Sequence, residues 1–81
     1  MIQVQINVDP KKEILDPQGK TVQHALKNLG YKNVFDVKIG KHIILELDLN
    51  SEEQALIETE KMCKDLLVNS LIEEYSIKII K

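Results

Sequence analysis

The stretch Phe35-Asp36-Val37-Lys38-Ile39-Gly40-Lys41-His42-Ile43-Ile44-Leu45-Glu46-Leu47-Asp48-Leu49 decides the fold. Apolar residues alternate with polar ones at Phe35, Val37 and Ile39, then resume at Ile43, Leu45, Leu47 and Leu49. A period of two puts alternate side chains on one face of a strand. The interruption at Gly40-Lys41 therefore predicts two strands joined by a tight turn, a β-hairpin.

Upstream, the same alternation runs from Ile2 to Val8 and ends at Asp9-Pro10, which predicts another strand. Asp16 suits a helix N-cap and Pro17 the first helical position, where no N–H is missed. Val22, Ala25, Leu26 and Leu29 recur at spacings of three and four, with Gly30 as a left-handed cap, so a helix is expected over Pro17 to Leu29. Downstream, Ser51 opens a second helix, with Gln54 as the reciprocal half of a capping box and Glu52 and Glu53 against the positive end of the dipole. Its stripe runs Ala55, Thr59, Met62 and Leu66, flanked by Leu56, Cys63 and Leu67, and Asn69 is expected to end it in the left-handed conformation. Tyr75, Ile77 and Ile79 mark a last strand.

The order is βαββαβ. It predicts an α+β fold, a ferredoxin-like two-layer sandwich with a four-stranded antiparallel sheet and two helices on one face. One domain is expected over residues 1–81. Gln3, Gln5, Asn7, Glu46, Asp48, Ser76 and Lys78 fall on the outer sheet face, interrupted by Ile44 and Ile80. That face, or a sheet edge with free backbone groups, suits pairing with a second copy.

Composition narrows the function classes. Hydrophobic residues at 43% and charged residues at 30% describe an ordinary globular domain rather than a disordered chain. No apolar run approaches the roughly 20 residues that span a bilayer, and no basic segment followed by an apolar run opens the chain, so a cytoplasmic protein is expected. The net charge of −2 attracts neither nucleic acid nor anionic lipid. All eleven basic residues are Lys. Without Arg there is no bidentate fork for phosphate or carboxylate, and a phosphorylated substrate would have to be gripped by another subunit.

Candidate chemistry is sparse. Cys63 is the only cysteine, so no intrachain disulfide or thiolate zinc site is available. A thiolate can act as a nucleophile, but Cys63 lies mid-helix in an apolar flank, away from the helix N-terminus or cation that depresses a thiol pKa. His24 and His42 have no carboxylate or second imidazole placed beside both, and read as surface or boundary residues. Gly19, Gly30 and Gly40 are too scattered for a phosphate loop. Gly19 has no local reason within a helix, where Gly costs stability. Close approach of another backbone, in a partner subunit, would account for it. The aromatics Tyr31, Phe35 and Tyr75 have no basic surroundings, and Phe35 and Tyr75 fall in phase with the buried face, which argues against base stacking.

Three segments together resemble the PurS family, small subunits of phosphoribosylformylglycinamidine synthase. They are Leu15-Asp16-Pro17-Gln18-Gly19 with Val22-Gln23-His24-Ala25-Leu26 and Leu29-Gly30-Tyr31; Val34 with Val37-Lys38-Ile39-Gly40-Lys41; and Met62-Cys63-Lys64, Leu66-Leu67, Asn69, Ile72-Glu73 and Tyr75. Two departures stand out: Lys38 where the family usually has Arg, and Ser70 where Pro is common.

The resemblance implies a non-catalytic subunit in an ATP-dependent, glutamine-dependent C–N ligase of purine biosynthesis. A PurQ-like glutaminase would release ammonia, and a PurL-like synthetase would use ATP and Mg2+ to activate the amide that accepts it. This chain, as a homodimer or a tetramer, would bridge the two and bind no cofactor. Asp16, Pro17, Gln18 and Gly19, with Lys38, Gly40 and Lys41, are the candidate contacts to those partners. The competing expectation is a regulatory module of ferredoxin-like fold that binds a small molecule at a dimer interface.

Overall fold

The computed structural model describes residues 1–81. Its elements are strand β1 (Ile2–Pro10), helix α1 (Pro17–Asn28), strand β2 (Lys41–Leu47), helix α2 (Glu52–Met62) continued by a π turn (Cys63–Leu67), and strand β3 (Glu73–Ile80).

The expected four-stranded sheet is not formed. The sheet has three strands in the order β2-β1-β3, both pairs antiparallel. The overall class is α+β as expected, but the hairpin at Gly40-Lys41 is absent, and 34–40 lies outside the sheet. A two-residue hairpin turn needs positive φ at a central residue, and Gly30, at +102°, is the one residue with positive φ. Gly40 serves a different need: a Cβ there would come within 2.5 Å of the Val8 carbonyl oxygen and of Asp9 Oδ1. The chain passes this contact without reversing, and β2 continues the direction of the extended segment before it.

β1 is central because both of its neighbours ladder onto it, from Ile2 opposite Leu47 to Val8 opposite Lys41 and from Gln3 opposite Ile80 to Pro10 opposite Glu73. Val4, Ile6 and Val8 lie on one face and are fully buried. Each such side chain contributes about 1.5–3 kcal/mol of burial free energy. α2 covers them with Ala55, Thr59 and Cys63, and Val68 closes the end of the cluster. The Thr59 hydroxyl is buried there without a hydrogen-bond partner, which nothing in the packing explains.

α2 starts as its sequence predicts, with Gln54 N–H donating to Ser51 Oγ at 3.2 Å. The reciprocal half of the capping box is not made, because the Gln54 side chain donates to Glu58 at 2.8 Å. At its other end the helix does not run on to Asn69. Val68 N–H donates to the Cys63 carbonyl, five residues back, at 3.0 Å. The extra residue in that turn brings Leu67 and Val68 to the core and leaves Leu66, expected in the stripe, 84% exposed. Asn69 does not adopt the left-handed conformation. Its side-chain oxygen accepts from Leu71 N–H at 3.2 Å, and its carbonyl from Ile72 and Glu73, turning the chain into β3.

The second helix expected on the sheet is also displaced. α1 has no extensive packing against any strand or against α2. It lies instead along 34–40, and the two form an arm. The radius of gyration is 16.1 Å and the longest extent 50 Å, against about 12 Å for the radius of a compact domain of this length.

Candidate functional site

The base of the arm brings together two segments that are about twenty residues apart in sequence, Asp16–Gly19 and Lys38–Lys41. Asp16 is the N-cap of α1, in extended conformation, and its Oδ1 accepts from Gln18 N–H at 3.1 Å. Its other carboxylate oxygen accepts from Ile39 N–H at 2.6 Å. The Ile39 N–H is the main reason that the Asp16 carboxyl is held below its usual range; partial burial opposes this, and the N–H groups of Gly19 and Gln18 and the Lys38 ammonium reinforce it.

Gly19 is the one buried residue of α1. A Cβ on it would stand 1.9 Å from the Val37 carbonyl oxygen. The close backbone approach inferred for Gly19 therefore exists, but within its own chain. Pro17 and Gln18 beside it are exposed. Lys38 Nζ donates to the carbonyls of Ile14 and Lys12, tying the loop before α1 to the extended segment. A primary ammonium does this well, because it can point its three donors at separate carbonyls.

Gln23, one turn further along α1, donates through its amide to the carbonyls of Phe35 at 2.7 Å and Val34 at 3.3 Å. Gln23 lies in a segment that carries the family resemblance but is not among the candidate contacts, although a glutamine on a half-buried helix face is the signal that could have found it. The far end of α1 closes as predicted: Tyr31 N–H donates to Leu26 and Gly30 N–H to Lys27, both at 3.0 Å, with Gly30 left-handed.

Gly40 and Lys41 sit at the junction with the sheet rather than in a turn. Lys41 Nζ lies 3.6 Å from Glu73, an ion pair across β1 between an exposed lysine and a half-buried glutamate. Beside the two segments, between the loop before α1 and residues 35–38, is an open cavity of about 520 Å³, lined in part by Lys12, Asp16, Lys20, Phe35 and Lys38.

The remaining candidates are not brought here. His24 is exposed on α1. His42 shares a hydrogen bond with Asn7, 3.0 Å away across the outer sheet face. Cys63 is fully buried, and burial followed by the nearby Glu60 charge raises its thiol pKa, which disfavours the thiolate. Tyr75 donates to Glu60 at 2.7 Å. No three His, Cys, Asp or Glu side chains are placed to hold a metal ion. No helix is long and apolar enough to cross a membrane.

The arrangement thus contains a rigidly tied surface and no assembled acid, base and nucleophile. Residues 3–81 match the family described as PurS, phosphoribosylformylglycinamidine (FGAM) synthase. A phosphoribosylformylglycinamidine synthase subunit PurS of Methanocaldococcus jannaschii is 40% identical over 81 residues, covering 100% of this chain and 98% of the relative. The structure of Bacillus subtilis PurS superposes with a TM-score of 0.88 at 38% identity, over 100% of both chains. A chain in the structure of PurLQS from Thermotoga maritima superposes with a TM-score of 0.86 at 30% identity, over 98% of this chain and 96% of that one.

Proposed function

The chain belongs to the PurS family of phosphoribosylformylglycinamidine synthase subunits, and we propose that it works as the non-catalytic assembly subunit of that enzyme, a homodimer joining a PurL-like synthetase to a PurQ-like glutaminase. The observation that carries this reading is the full-length likeness to a chain of the Thermotoga maritima PurLQS assembly. In this reading residues 1–81 act as one PurS-like domain in the cytoplasm, consistent with a lone, unpaired cysteine.

Ammonia is largely protonated at neutral pH, and it diffuses away unless the site that makes it and the site that uses it are held together. Fixing two sites in space and keeping water out is a catalytic contribution that needs no acid, base or metal from the chain that provides it. ATP and Mg2+ would sit in the synthetase. The tied base of the arm, with Asp16, Pro17, Gln18 and Gly19 beside Lys38, Gly40 and Lys41, would face the large subunits. Its doubly held carboxylate and carbonyl-anchored lysine give that surface one shape, which limits the ordering cost of docking.

The test is reconstitution. Mixing this chain with matching synthetase and glutaminase should restore glutamine-dependent synthesis that the two large subunits lack without it. Failure to bind either one in the presence of ADP and glutamine would overturn the reading. An amino acid or nucleotide bound by the isolated chain would favour the regulatory-module alternative instead.

A further inference from the structure

We infer that Lys38 is a positioning residue for the assembled enzyme: its ammonium, bound to the carbonyls of Lys12 and Ile14, holds the loop between β1 and α1 in the one shape that a large subunit recognises. This rests on the assembly role proposed above and assigns which part of the surface is recognised.

The loop is fixed at both ends by its neighbours. At its start Lys11 N–H donates to the Ile72 carbonyl at 2.9 Å, and Lys11 Nζ to the Ser70 carbonyl at 2.8 Å. At its end Asp16 caps α1 and takes the Ile39 N–H. Between these points one turn is closed by Ile14 N–H on the Lys11 carbonyl at 3.0 Å. The carbonyls of Lys12 and Ile14, on either side of Glu13, receive no backbone N–H. Lys38 Nζ takes both of them, from 26 and 24 residues away in sequence. The middle of the loop has no other long-range hydrogen bond.

Nothing in the core needs this order. No residue from Lys12 to Asp16 is buried, and Leu15 is 68% exposed. Lys38 is itself exposed, so its bonds to the carbonyls compete with water and add little to stability. Holding five unburied residues and a long lysine side chain in one conformation nevertheless costs chain entropy. The return comes on docking, because a surface that is already ordered loses less freedom there.

The open cavity beside the loop shows what Lys38 sets. Leu15 lines it from the loop, and Phe35, 94% exposed, lines it from the arm. Lys38 crosses from the arm to the loop, so its reach fixes the separation of those two segments. Two large apolar side chains presented at a fixed spacing are anchors for a protein surface of matching shape.

The experiment titrates matching synthetase and glutaminase with the full chain, native or carrying Lys38→Met or Lys38→Arg, and reads glutamine-dependent synthesis. NMR relaxation of the backbone amides follows the loop in the same chains. Lys38→Met keeps the stem and removes the donors, whereas Lys38→Arg keeps donors able to span both carbonyls. Lys38→Met should need at least about tenfold more chain for half-maximal synthesis while reaching the same maximal rate. The order parameters of the Glu13 and Leu15 N–H groups should fall from about 0.85 to below about 0.6. The urea midpoint should stay, and Lys38→Arg should restore both activation and loop order. Weaker activation with the loop still ordered makes Lys38 a direct contact and overturns the positioning role. A loosened loop with activation unchanged overturns it too, as does a loss of activation matched by a lowered urea midpoint. If the native chain supports no synthesis, the assembly role falls and this inference with it.

Discussion

Gly19 and Val37 approach so closely that the helix and the extended segment leave no room for a side chain between them; a Cβ at Gly19 would lie 1.9 Å from the Val37 oxygen and 2.8 Å from its carbonyl carbon. Both obstructing atoms are backbone, so they cannot swing aside as the tip of a side chain could. Gly19→Ala is expected to push α1 off the segment and to cost about 1–3 kcal/mol, the usual penalty of overpacking. Urea unfolding would measure this, and reconstituted synthesis should fall with it, because the proposed docking surface moves. An unchanged midpoint would show that the arm's packing contributes nothing to stability.

Asp16 holds both the helix start and Ile39, so its removal acts twice. Asp16→Ala should lower stability by about 0.5–2 kcal/mol through the lost cap and speed amide exchange at Ile39. Because the folded carboxyl titrates below its ordinary value, its contribution is intact above about pH 4 and is lost as pH falls further through the lowered folded value. Exchange at Ile39 should accelerate over that acid range in the native chain and show no such step in Asp16→Ala.

Tyr75 is held protonated by Glu60, whose carboxylate accepts its hydrogen bond, with burial and the same negative charge reinforcing the effect, and its pKa is pushed up to about 12. A raised folded value favours the native state below the unfolded tyrosine pKa of about 10, and that contribution is lost as pH rises through the folded one. Ultraviolet titration in a Tyr31→Phe background should place the phenolate transition near 12. Glu60→Gln should bring it down, and an unshifted transition would remove Glu60 as the cause.

Cys63 packs against Ile6, Val8 and Val68. Cys63→Ala should cost about 1 kcal/mol and leave synthesis by the reconstituted complex unchanged, and in the native chain the thiol should react with iodoacetamide only as fast as the fold opens. A complex that assembles but loses synthesis in Cys63→Ala would assign the thiol a chemical role.

Ile6 is the largest of the fully buried side chains. Ile6→Ala should cost about 2–5 kcal/mol, a large share of the stability of so lightly buried a chain. Far-ultraviolet circular dichroism should show loss of helix and strand together. A cooperative transition at the native midpoint would mean that the core lies elsewhere.

The local features were legible because local chemistry dictates them. Asp16-Pro17 and Ser51 name their helix starts, Gly30 ends α1, and the alternation from Ile2 to Val8 specifies β1 with one face buried. The tie between Asp16 and Ile39 was not legible, although both of its segments had been singled out, because no pattern shows which distant N–H a carboxylate will meet. The expected hairpin does not form for a related reason. Phe35, Val37 and Ile39 alternate as a strand does, and periodicity reports that a segment is extended without saying which edge it joins. Nor does a helical stripe reveal a π turn, so Leu66 was expected in the core.

The sequence by itself determined four extended segments, two capped helices, the family and the absence of an Arg fork or disulfide, since each follows from residue identity and short-range spacing. Only the tertiary structure decided that the sheet has three strands, that α1 leaves it, and that Gly19 meets Val37. Those outcomes depend on competition among backbone partners far apart in the chain. Asp16 and Gln23 prevail in part of that competition, because they take the Ile39 N–H and the Val34 and Phe35 carbonyls, while Lys38 ties the same segment to the carbonyls of Lys12 and Ile14.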